Sequence, residues 1–280
     1  MEKEQKRQLE ITAAKARIGV IEGVYNAKCG HPGGSLSIVD LLTYLYFNRM
    51  YVDPQNPDLP DRDRLVLSKG HAAPALYSVL SLRGYFPAED LKTLRHIDSY
   101  LQGHPVLGKV PGVDMSTGSL GQGFSAACGM ALSAKVDNET YKVYTVLGDG
   151  EIEEGEVWEA AMFAAHYQLD NLIAIVDNNG LQIDGEIKDV MSPYPIDEKF
   201  KAFGWHVISI NAHDFAEMEK AFNEAETVAN QPVAIIQRSV KGKGVSFMEN
   251  VCSWHGVAPN EEQYNTAMAE LKANLDKLTK

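Results

Sequence analysis

The stretch from residue 143 to residue 179 decides the fold. It reads VYTVLGDGEIEEGEVWEAAMFAAHYQLDNLIAIVDNN. Two short runs rich in β-branched residues lie at its ends, and neither alternates with polar residues, which is typical of strands buried on both faces. The segment between them has helical spacing from Glu154 to Gln168 and is long enough for a right-handed crossover. We therefore expect two neighbouring parallel strands joined by a helix.

The same alternation continues downstream. WHVISI and PVAIIQRSV are predicted strands, and FAEMEKAFNEAETVA between them is a predicted helix. Upstream, SIVDLLTYLYFNRM and PALYSVLSLRGYF are predicted helices, the second closing at Gly84, and a glycine-rich segment from Gly103 to Gly123 is a predicted ordered loop. The pattern predicts an α/β fold with a doubly wound, mainly parallel sheet covered by helices on both faces. No linker or repeat interrupts it, so we expect one domain over residues 1–280.

Composition excludes several classes of protein. The chain has 280 residues, is 45% hydrophobic and carries a formal charge of −12, so no overall positive field attracts nucleic acid or an anionic membrane. Neither a signal peptide nor an apolar run of membrane-spanning length is visible, which predicts a cytoplasmic protein. The three cysteines are far apart and contain no C-x-x-C, which argues against disulfides and thiolate metal sites.

Polar residues follow the two strands of the opening stretch. Asp149 comes at the end of the first strand and Asn179 at the end of the second. Ligands of open α/β sheets bind at the carboxyl ends of the strands, so the two side chains could meet on one cation. Their oxygen atoms suit Mg²⁺, with Ca²⁺ or Mn²⁺ as alternatives, and a site with so few ligands would be completed by phosphate oxygens and water. Gly148 and Gly150 would leave room for a diphosphate.

A simpler interpretation of Gly-Asp-Gly is a strand-to-helix turn, because so short a motif recurs by accident. The asparagines at the next strand end favour the metal site. The remaining acidic residues of the stretch are expected to be solvated or to compensate the helix dipole: Glu151, Glu153, Glu156 and Glu159.

Four of the eight histidines lie beside glycine or proline in predicted loops or helix starts, where they could meet a ligand: His31, His71, His104 and His255. For each of them a surface or structural role stays open. Their spacing matches no recurrent zinc motif. The others are expected to be structural: His96, His166, His206 and His213.

Six blocks, in order, resemble transketolase. They are CGHPGGSLS, LSKGHAAPALY, QGHP, STGSLGQGFSAACGMALSAK, the stretch from GDG to DNNGLQIDG, and WHGVAP. The fifth block is similar to the thiamine diphosphate motif, which begins with Gly-Asp-Gly and ends near Asn-Asn. The resemblance implies a thiamine diphosphate-binding fold and the transfer of a two-carbon ketol unit from a ketose phosphate to an aldose phosphate, a reaction of the pentose phosphate pathway.

The resemblance also implies roles for individual residues. The side chains of Asp149 and Asn179 and the backbone carbonyl of Leu181 would bind Mg²⁺. The cofactor would be contacted by the backbone of Gly118 and Gly150, the apolar side chains of Leu120 and Ile183, the loop residue Ser119, and His71 and His255 at the diphosphate. His31, His104 and His255 would line the substrate channel as proton and hydrogen-bond donors. Glu154 would be a catalytic residue at the dimer interface, near the carboxylates of the partner. An acid at a helix start is the simpler interpretation of Glu154.

Two departures from the family pattern are visible. Ser119 replaces a common proline, and Asn178 replaces a common aspartate beside the metal ligand. Neither change removes a predicted ligand.

In transketolases, the glutamate that activates the aminopyrimidine and most sugar phosphate ligands come from later domains, and this sequence resembles only the first domain. We therefore expect the N-terminal subunit of a split transketolase. A second chain would carry the pyrimidine-binding and C-terminal domains, in a heterotetramer.

Two alternatives to this interpretation stay open. The chain could be a subunit of another thiamine diphosphate enzyme, such as a deoxyxylulose-phosphate synthase or a ketol transferase for an unusual sugar. It could also be a non-catalytic Mg²⁺-binding α/β module.

Overall fold

The computed structural model describes all residues from 1 to 280 and contains one five-stranded sheet. Its strands are β1 (Arg64–Leu67), β2 (Val143–Gly148), β3 (Leu172–Asn178), β4 (His206–Asn211) and β5 (Val233–Arg238). Their order is β1-β2-β3-β5-β4, and every neighbouring pair is parallel. The predicted parallel α/β fold is confirmed. Strand β1 was not among the predicted strands.

Ten α-helices connect and cover the strands. They are α1 (Lys3–Ala27), α2 (Pro32–Leu36), α3 (Val39–Tyr44), α4 (Ala73–Arg83), α5 (Gln122–Asp137), α6 (Gly155–His166), α7 (Ile187–Val190), α8 (Ile196–Ala202), α9 (Phe215–Thr227) and α10 (Glu261–Thr279). The expected crossover helix is α6, and the expected end of a helix at Gly84 follows α4, where Gly84 has a φ of 101°. No helix of the chain combines the length and the apolar composition needed to cross a bilayer.

One expected helix is divided. The segment predicted as a continuous helix over SIVDLLTYLYFNRM begins as α3 and continues as a π-helical turn at Leu45–Arg49. The predicted glycine-rich loop contains neither helix nor strand between Gly103 and Gly121, after which α5 begins at Gln122. Gly118 and Leu120 of this loop lie at the same end of the sheet as the residues that follow β2 and β3.

Side chains alternate between two cores, one on each face of the sheet. On one face, strand residues such as Val146 and Ile175 pack against α1, α3, α4, α9 and α10. On the other face, Leu147 and Val176 pack against α5, α6 and α8. Because both faces are covered, the strands are apolar along almost their whole length, which is why the sequence shows runs and no alternation.

The strand register positions the functional edge of the sheet. Val143 pairs with Leu172 and the register continues to Gly148 opposite Asp177, while Asp177 in turn pairs with Gln237 of β5. The residues that follow β2, β3 and β5 therefore leave the sheet at one edge. Since the chain passes from β3 to the edge strand β4 and then returns to β5, the strand order reverses beside β3, where ligands of such folds bind.

We expect the Ile175→Ala substitution to lower the free energy of unfolding by about 2–5 kcal/mol, because Ile175 is fully buried in the central strand. Urea unfolding followed by circular dichroism measures this change. The matched control is Ile97→Ala at a side chain that is 95% exposed, for which the change should stay within about 0.5 kcal/mol. Equal effects of the two substitutions would contradict the described core.

Candidate functional site

A pocket lies at the carboxyl edge of β2, β3 and β5. Ten of the residues singled out in the sequence line its wall: His31, His71, Gly118, Leu120, Asp149, Gly150, Asn179, Leu181, Ile183 and His255. Two lysines that were not singled out, Lys69 and Lys241, also line it, together with Gly34, Gly148, Glu151 and Gln182. The pocket thus brings together residues from the whole length of the chain.

Three of the predicted site residues lie outside this wall. His104 is close to it, with its ring centroid 6.5 Å from that of His31. Ser119 and Glu154 are exposed. The position of Glu154 on the surface is compatible with its predicted place at a subunit interface.

The carboxylate of Asp149 is buried in the pocket. Its Oδ1 accepts a hydrogen bond of 3.0 Å from the backbone N–H of Gly150, and its Oδ2 accepts one of 2.6 Å from that of Gly180. Burial, and then the negative charge of Asp177, raise the pKa of Asp149 to about 7. A bound cation would stabilise the charged form of this buried carboxylate. Asp149 is therefore suited to bind a metal ion.

The amide of Asn179 has a fixed orientation. Its Nδ2 donates to Asp177 Oδ2 over 3.1 Å, and its Oδ1 accepts from the backbone N–H of Leu181 over 3.1 Å. The carbonyl of Leu181 accepts a 3.0 Å hydrogen bond from Lys241 Nζ. A carboxylate, a carboxamide oxygen and a main-chain carbonyl therefore surround one side of the pocket, which is the donor set that Mg²⁺ shares with substrate phosphates.

The pKa of Asp177, on the strand next to Asp149, is shifted in the opposite direction from the pKa of Asp149. Its carboxylate accepts from Lys69 Nζ at 2.5 Å and from Ser37 Oγ at 2.7 Å, and it also bonds Ser239 Oγ. Although burial alone would raise the pKa of Asp177, the positive charge of Lys69 and these hydrogen bonds lower it. Asp177 is therefore an ionised anchor beneath the pocket.

Lys241 supplies a second buried ammonium group. It is 2% exposed, and its Nζ donates to the carbonyl of Leu181 and contacts Nδ1 of His255 at 3.0 Å. Burial and the positive charge of Lys69 lower the pKa of Lys241 to about 8. Two ammonium groups in the lining of one pocket favour an anionic ligand. Both lysines could have been found from the sequence, because Lys69 lies in a quoted block and Lys241 follows β5 at the same sheet edge.

Three histidine rings stand together at the pocket. The ring centroids of His31, His71 and His255 are 5.2–5.4 Å apart. Burial and neighbouring positive charges lower the pKa of His31 to about 4 and that of His255 to about 3, and the pKa values of His71 and His104 are lowered as well. These rings are neutral at pH 7, so each offers one hydrogen-bond donor and one acceptor.

The glycines beside Asp149 fit the expectation that they leave room for a ligand. A Cβ at Gly148 would meet no protein atom closer than 3.9 Å, and one at Gly150 would come within 3.4 Å of Gln182. Packing of the protein against itself therefore does not require glycine at either position. Open space at the carboxylate is available to a bulky group such as a diphosphate.

Glu151 was expected to be solvated, and this expectation is wrong. Its side chain is buried and accepts 2.9 Å hydrogen bonds from the backbone N–H groups of Gly121 and Gly148, together with one from Ser68 Oγ. Glu151 thereby ties the loop that carries Gly118 and Leu120 to the end of β2. The sequence missed it because two of its three partners, Ser68 and Gly121, lie in distant segments.

Comparison with known proteins gives one consistent result. Residues 9–277 match the family model described as transketolase, thiamine diphosphate binding domain. The chain is 46% identical over 269 residues to a subunit of the 6-deoxy-6-sulfo-D-fructose transketolase of Clostridium sp. (strain MSTE9), with 96% of this chain and 98% of the relative covered. It is 43% identical to a subunit of the apulose-4-phosphate transketolase of Phocaeicola vulgatus, with 97% and 96% covered.

A solved structure agrees. The transketolase of Campylobacter jejuni superposes with a TM-score of 0.89 at 32% identity and covers 99% of this chain. The chain spans only 46% of the length of that protein. The similarity is thus to one part of a longer transketolase and to nearly the whole of two relatives that are named as subunits.

The pKa of Asp149 predicts a pH dependence. Because its folded-state pKa is raised from 3.8 to about 7, the folded chain binds more protons than the unfolded chain between these values, and stability is lost as the pH rises through this window. Asp149→Asn removes the titration. In metal-free buffer, the variant should therefore gain stability relative to the wild type from pH 4 to pH 8.

Thermal unfolding of both proteins across this pH range measures the effect. The relevant quantity is how the difference in stability between the two proteins changes with pH. A loss of stability from altered hydrogen bonds that is the same at every pH therefore does not affect the comparison. Parallel pH profiles would contradict the raised pKa.

Proposed function

This chain belongs to the transketolase family as its thiamine diphosphate-binding domain, and on that premise we propose that it is the N-terminal subunit of a split transketolase. The proposed enzyme acts in the cytoplasm and transfers a two-carbon ketol unit from a ketose phosphate to an aldose phosphate. All 280 residues form one cofactor-binding domain in this proposal. The observation that carries it is the pocket in which the oxygens of Asp149 and Asn179 face two buried lysines.

The pocket fits magnesium and a diphosphate on grounds of charge. Two carboxylates, Asp149 and Glu151, line it together with two ammonium groups, Lys69 and Lys241. The carboxylate of Glu151 already accepts hydrogen bonds from Ser68, Gly121 and Gly148. Asp149 has no salt-bridge partner, whereas Asp177 is paired with Lys69. A divalent cation placed at Asp149 would be accompanied by a diphosphate as its counter-charge, and Lys241, which has no carboxylate partner, could donate to that diphosphate. The protein alone offers too few oxygens to complete the shell, as is usual for Mg²⁺.

We assign the ligands as follows. Asp149, Asn179 and the carbonyl of Leu181 hold Mg²⁺. The diphosphate would be held by hydrogen bonds from His71, His255, Lys241 and the backbone of Gly150 and Gly118, and the thiazolium by Leu120 and Ile183. Lys241 now donates to the carbonyl of Leu181, and the diphosphate is a stronger acceptor for the same ammonium group.

The bound cofactor supplies the carbon nucleophile and the electron sink that cleavage of a carbon–carbon bond requires. The residues of this chain position the cofactor and the substrate and exchange protons with the substrate. His31, His104 and His255 are neutral donors that can hydrogen-bond the oxygens of a sugar and exchange protons with them. Their lowered pKa values keep them in the neutral form at which one nitrogen can accept a proton and the other can donate one.

The proposed partner is a second chain with the pyrimidine-binding and C-terminal domains, in a heterotetramer. Two relatives of nearly the same length are named as transketolase subunits, which supports this organisation. An exposed apolar side chain at the pocket also fits a covering partner, since Ile183 is 66% exposed. Glu154 is proposed to lie at an interface between subunits.

The relatives act on different anionic sugars according to their names, a sulfosugar in one case and apulose 4-phosphate in the other. We propose a phosphorylated ketose as the donor here.

The purified chain alone should show no ketol transfer between ketose and aldose phosphates, since the groups that activate the aminopyrimidine are proposed to lie on the partner. A coupled spectrophotometric assay with the native complex as the positive control measures this. Full activity of the lone chain would refute the split organisation.

In the reconstituted complex, Asp149→Ala should abolish Mg²⁺-dependent binding of thiamine diphosphate, because it removes the only acidic metal ligand. The near-ultraviolet dichroism band of the bound cofactor reports binding. Unchanged cofactor affinity would remove Asp149 from the ligand set.

Lys241→Met should weaken binding of Mg²⁺-thiamine diphosphate by about tenfold to a hundredfold, the range expected for loss of a charge-assisted hydrogen bond. Isothermal titration calorimetry of the complex measures the affinity. Lys243→Met is the matched control, because Lys243 lies on the same loop, is partly exposed and pairs with Glu249 outside the pocket. Equal losses in the two variants would show that only the overall charge matters.

A further inference from the structure

A polar network lies outside this pocket and lines a second cavity. It joins Arg17 of α1, Asp40 of α3 and His213, which precedes α9. Arg17 Nη2 is 2.6 Å from Asp40 Oδ2, and His213 Nδ1 is 2.7 Å from the same oxygen. Although burial alone would raise the pKa of Asp40, the charge of Arg17 and the hydrogen bonds from His213 and Arg17 hold it well below its usual range. Asp40 is therefore ionised.

The contacts of His213 determine its tautomer. Its Nε2 lies 3.0 Å from the backbone nitrogen of Val240. A backbone N–H can only donate, so Nε2 must be the unprotonated acceptor and Nδ1 must carry the proton that is donated to Asp40. The ionised Asp40 stabilises this arrangement, because a carboxylate only accepts. His213 is thus a neutral ring with one defined direction of hydrogen bonding.

The network holds the loop that carries Lys241 on both sides of that residue. His213 accepts from Val240, immediately before Lys241, and Arg17 Nε donates over 3.1 Å to the carbonyl of Lys243, two residues after it. The loop is also closely packed here, since a Cβ at Gly244 would approach Arg17 Cδ to 2.9 Å. The backbone of Lys241 therefore has little freedom, while its side chain crosses to the other side and enters the pocket.

We propose that His213, oriented by Asp40 and Arg17, is a positioning residue for Lys241 that holds the loop from Ser239 to Val245 so that the ammonium group faces the bound diphosphate. His213 does not line the pocket, and it acts through the backbone of Val240. The part of this inference that concerns the diphosphate rests on the proposed function. The part that concerns the loop does not.

Two variants separate positioning from general stability. In His213→Gln, the amide oxygen can accept from Val240 and the amide nitrogen can donate to Asp40, because the two amide atoms are about as far apart as the two ring nitrogens. His213→Met has a similar size but offers no comparable acceptor. Both are compared with the wild type as the purified full chain, using Mg²⁺ with inorganic pyrophosphate as the probe.

Two measurements are made. Hydrogen exchange of the ligand-free chain reports protection of residues 239–245, with the β3 segment 172–178 as an internal reference for global stability. Calorimetry reports the affinity for pyrophosphate in the presence of Mg²⁺. We expect His213→Met to lose protection in the loop while β3 stays protected, and to bind pyrophosphate about fivefold to tenfold more weakly, as for the loss of one hydrogen bond. His213→Gln should stay near the wild type in both.

Unchanged loop exchange and unchanged affinity in His213→Met would overturn the inference, and so would equal acceleration of exchange in the loop and in β3, which would indicate a purely structural role. If the wild-type chain does not bind pyrophosphate with Mg²⁺, the proposed function fails. The exchange comparison would then still decide whether His213 holds the loop.

Discussion

The ion pair between Lys69 and Asp177 is the contact on which the functional edge of the molecule depends. It joins the end of β1 to the end of β3, and the same carboxylate binds Ser37, Ser239 and Asn179, so four segments meet on one buried charge. Removal of one member of such a pair typically costs about 3–5 kcal/mol, because the other charge is left buried without a partner. The pair is therefore a constraint on the chain: as long as β1, β3 and β5 are assembled, the amide of Asn179 has one orientation and the pocket has one shape.

The contrast between Asp177 and Asp149 connects this scaffold to function. Both carboxylates are buried, and they lie at the ends of the neighbouring parallel strands β2 and β3. Asp177 has an ammonium group beside it and a lowered pKa, whereas Asp149 has two backbone N–H donors, no salt-bridge partner and a pKa raised to about 7. The fold has thus satisfied one of the two charges with its own residues. In our account the other is satisfied by a metal ion that arrives with a diphosphate, and the neutral histidines next to it serve the substrate.

Much of this arrangement could be predicted from the sequence, because it depends on local patterns. The buried strands β2 and β3, the crossover helix between them and the positions of Asp149 and Asn179 all follow from one stretch of 37 residues, residues 143–179. The rest depends on contacts between distant segments. Strand β1 has only four residues and carries no periodic signal. Glu151 looks like any acid at a helix start, yet it is buried by donors from other segments. His213 was expected to be structural, and only its contacts with Asp40 and Val240 point to a role for the Lys241 loop.

The most direct test of the central claim, that Asp149 and Asn179 hold the metal of a thiamine diphosphate complex, is a crystal structure of the chain with thiamine diphosphate and Mn²⁺ in place of Mg²⁺. Anomalous scattering locates the manganese independently of the protein atoms. The account predicts one anomalous peak in coordinating contact with the side-chain oxygens of Asp149 and Asn179 and with the cofactor diphosphate. A peak elsewhere on the chain, or a bound cofactor whose diphosphate lies away from these two residues, would contradict it.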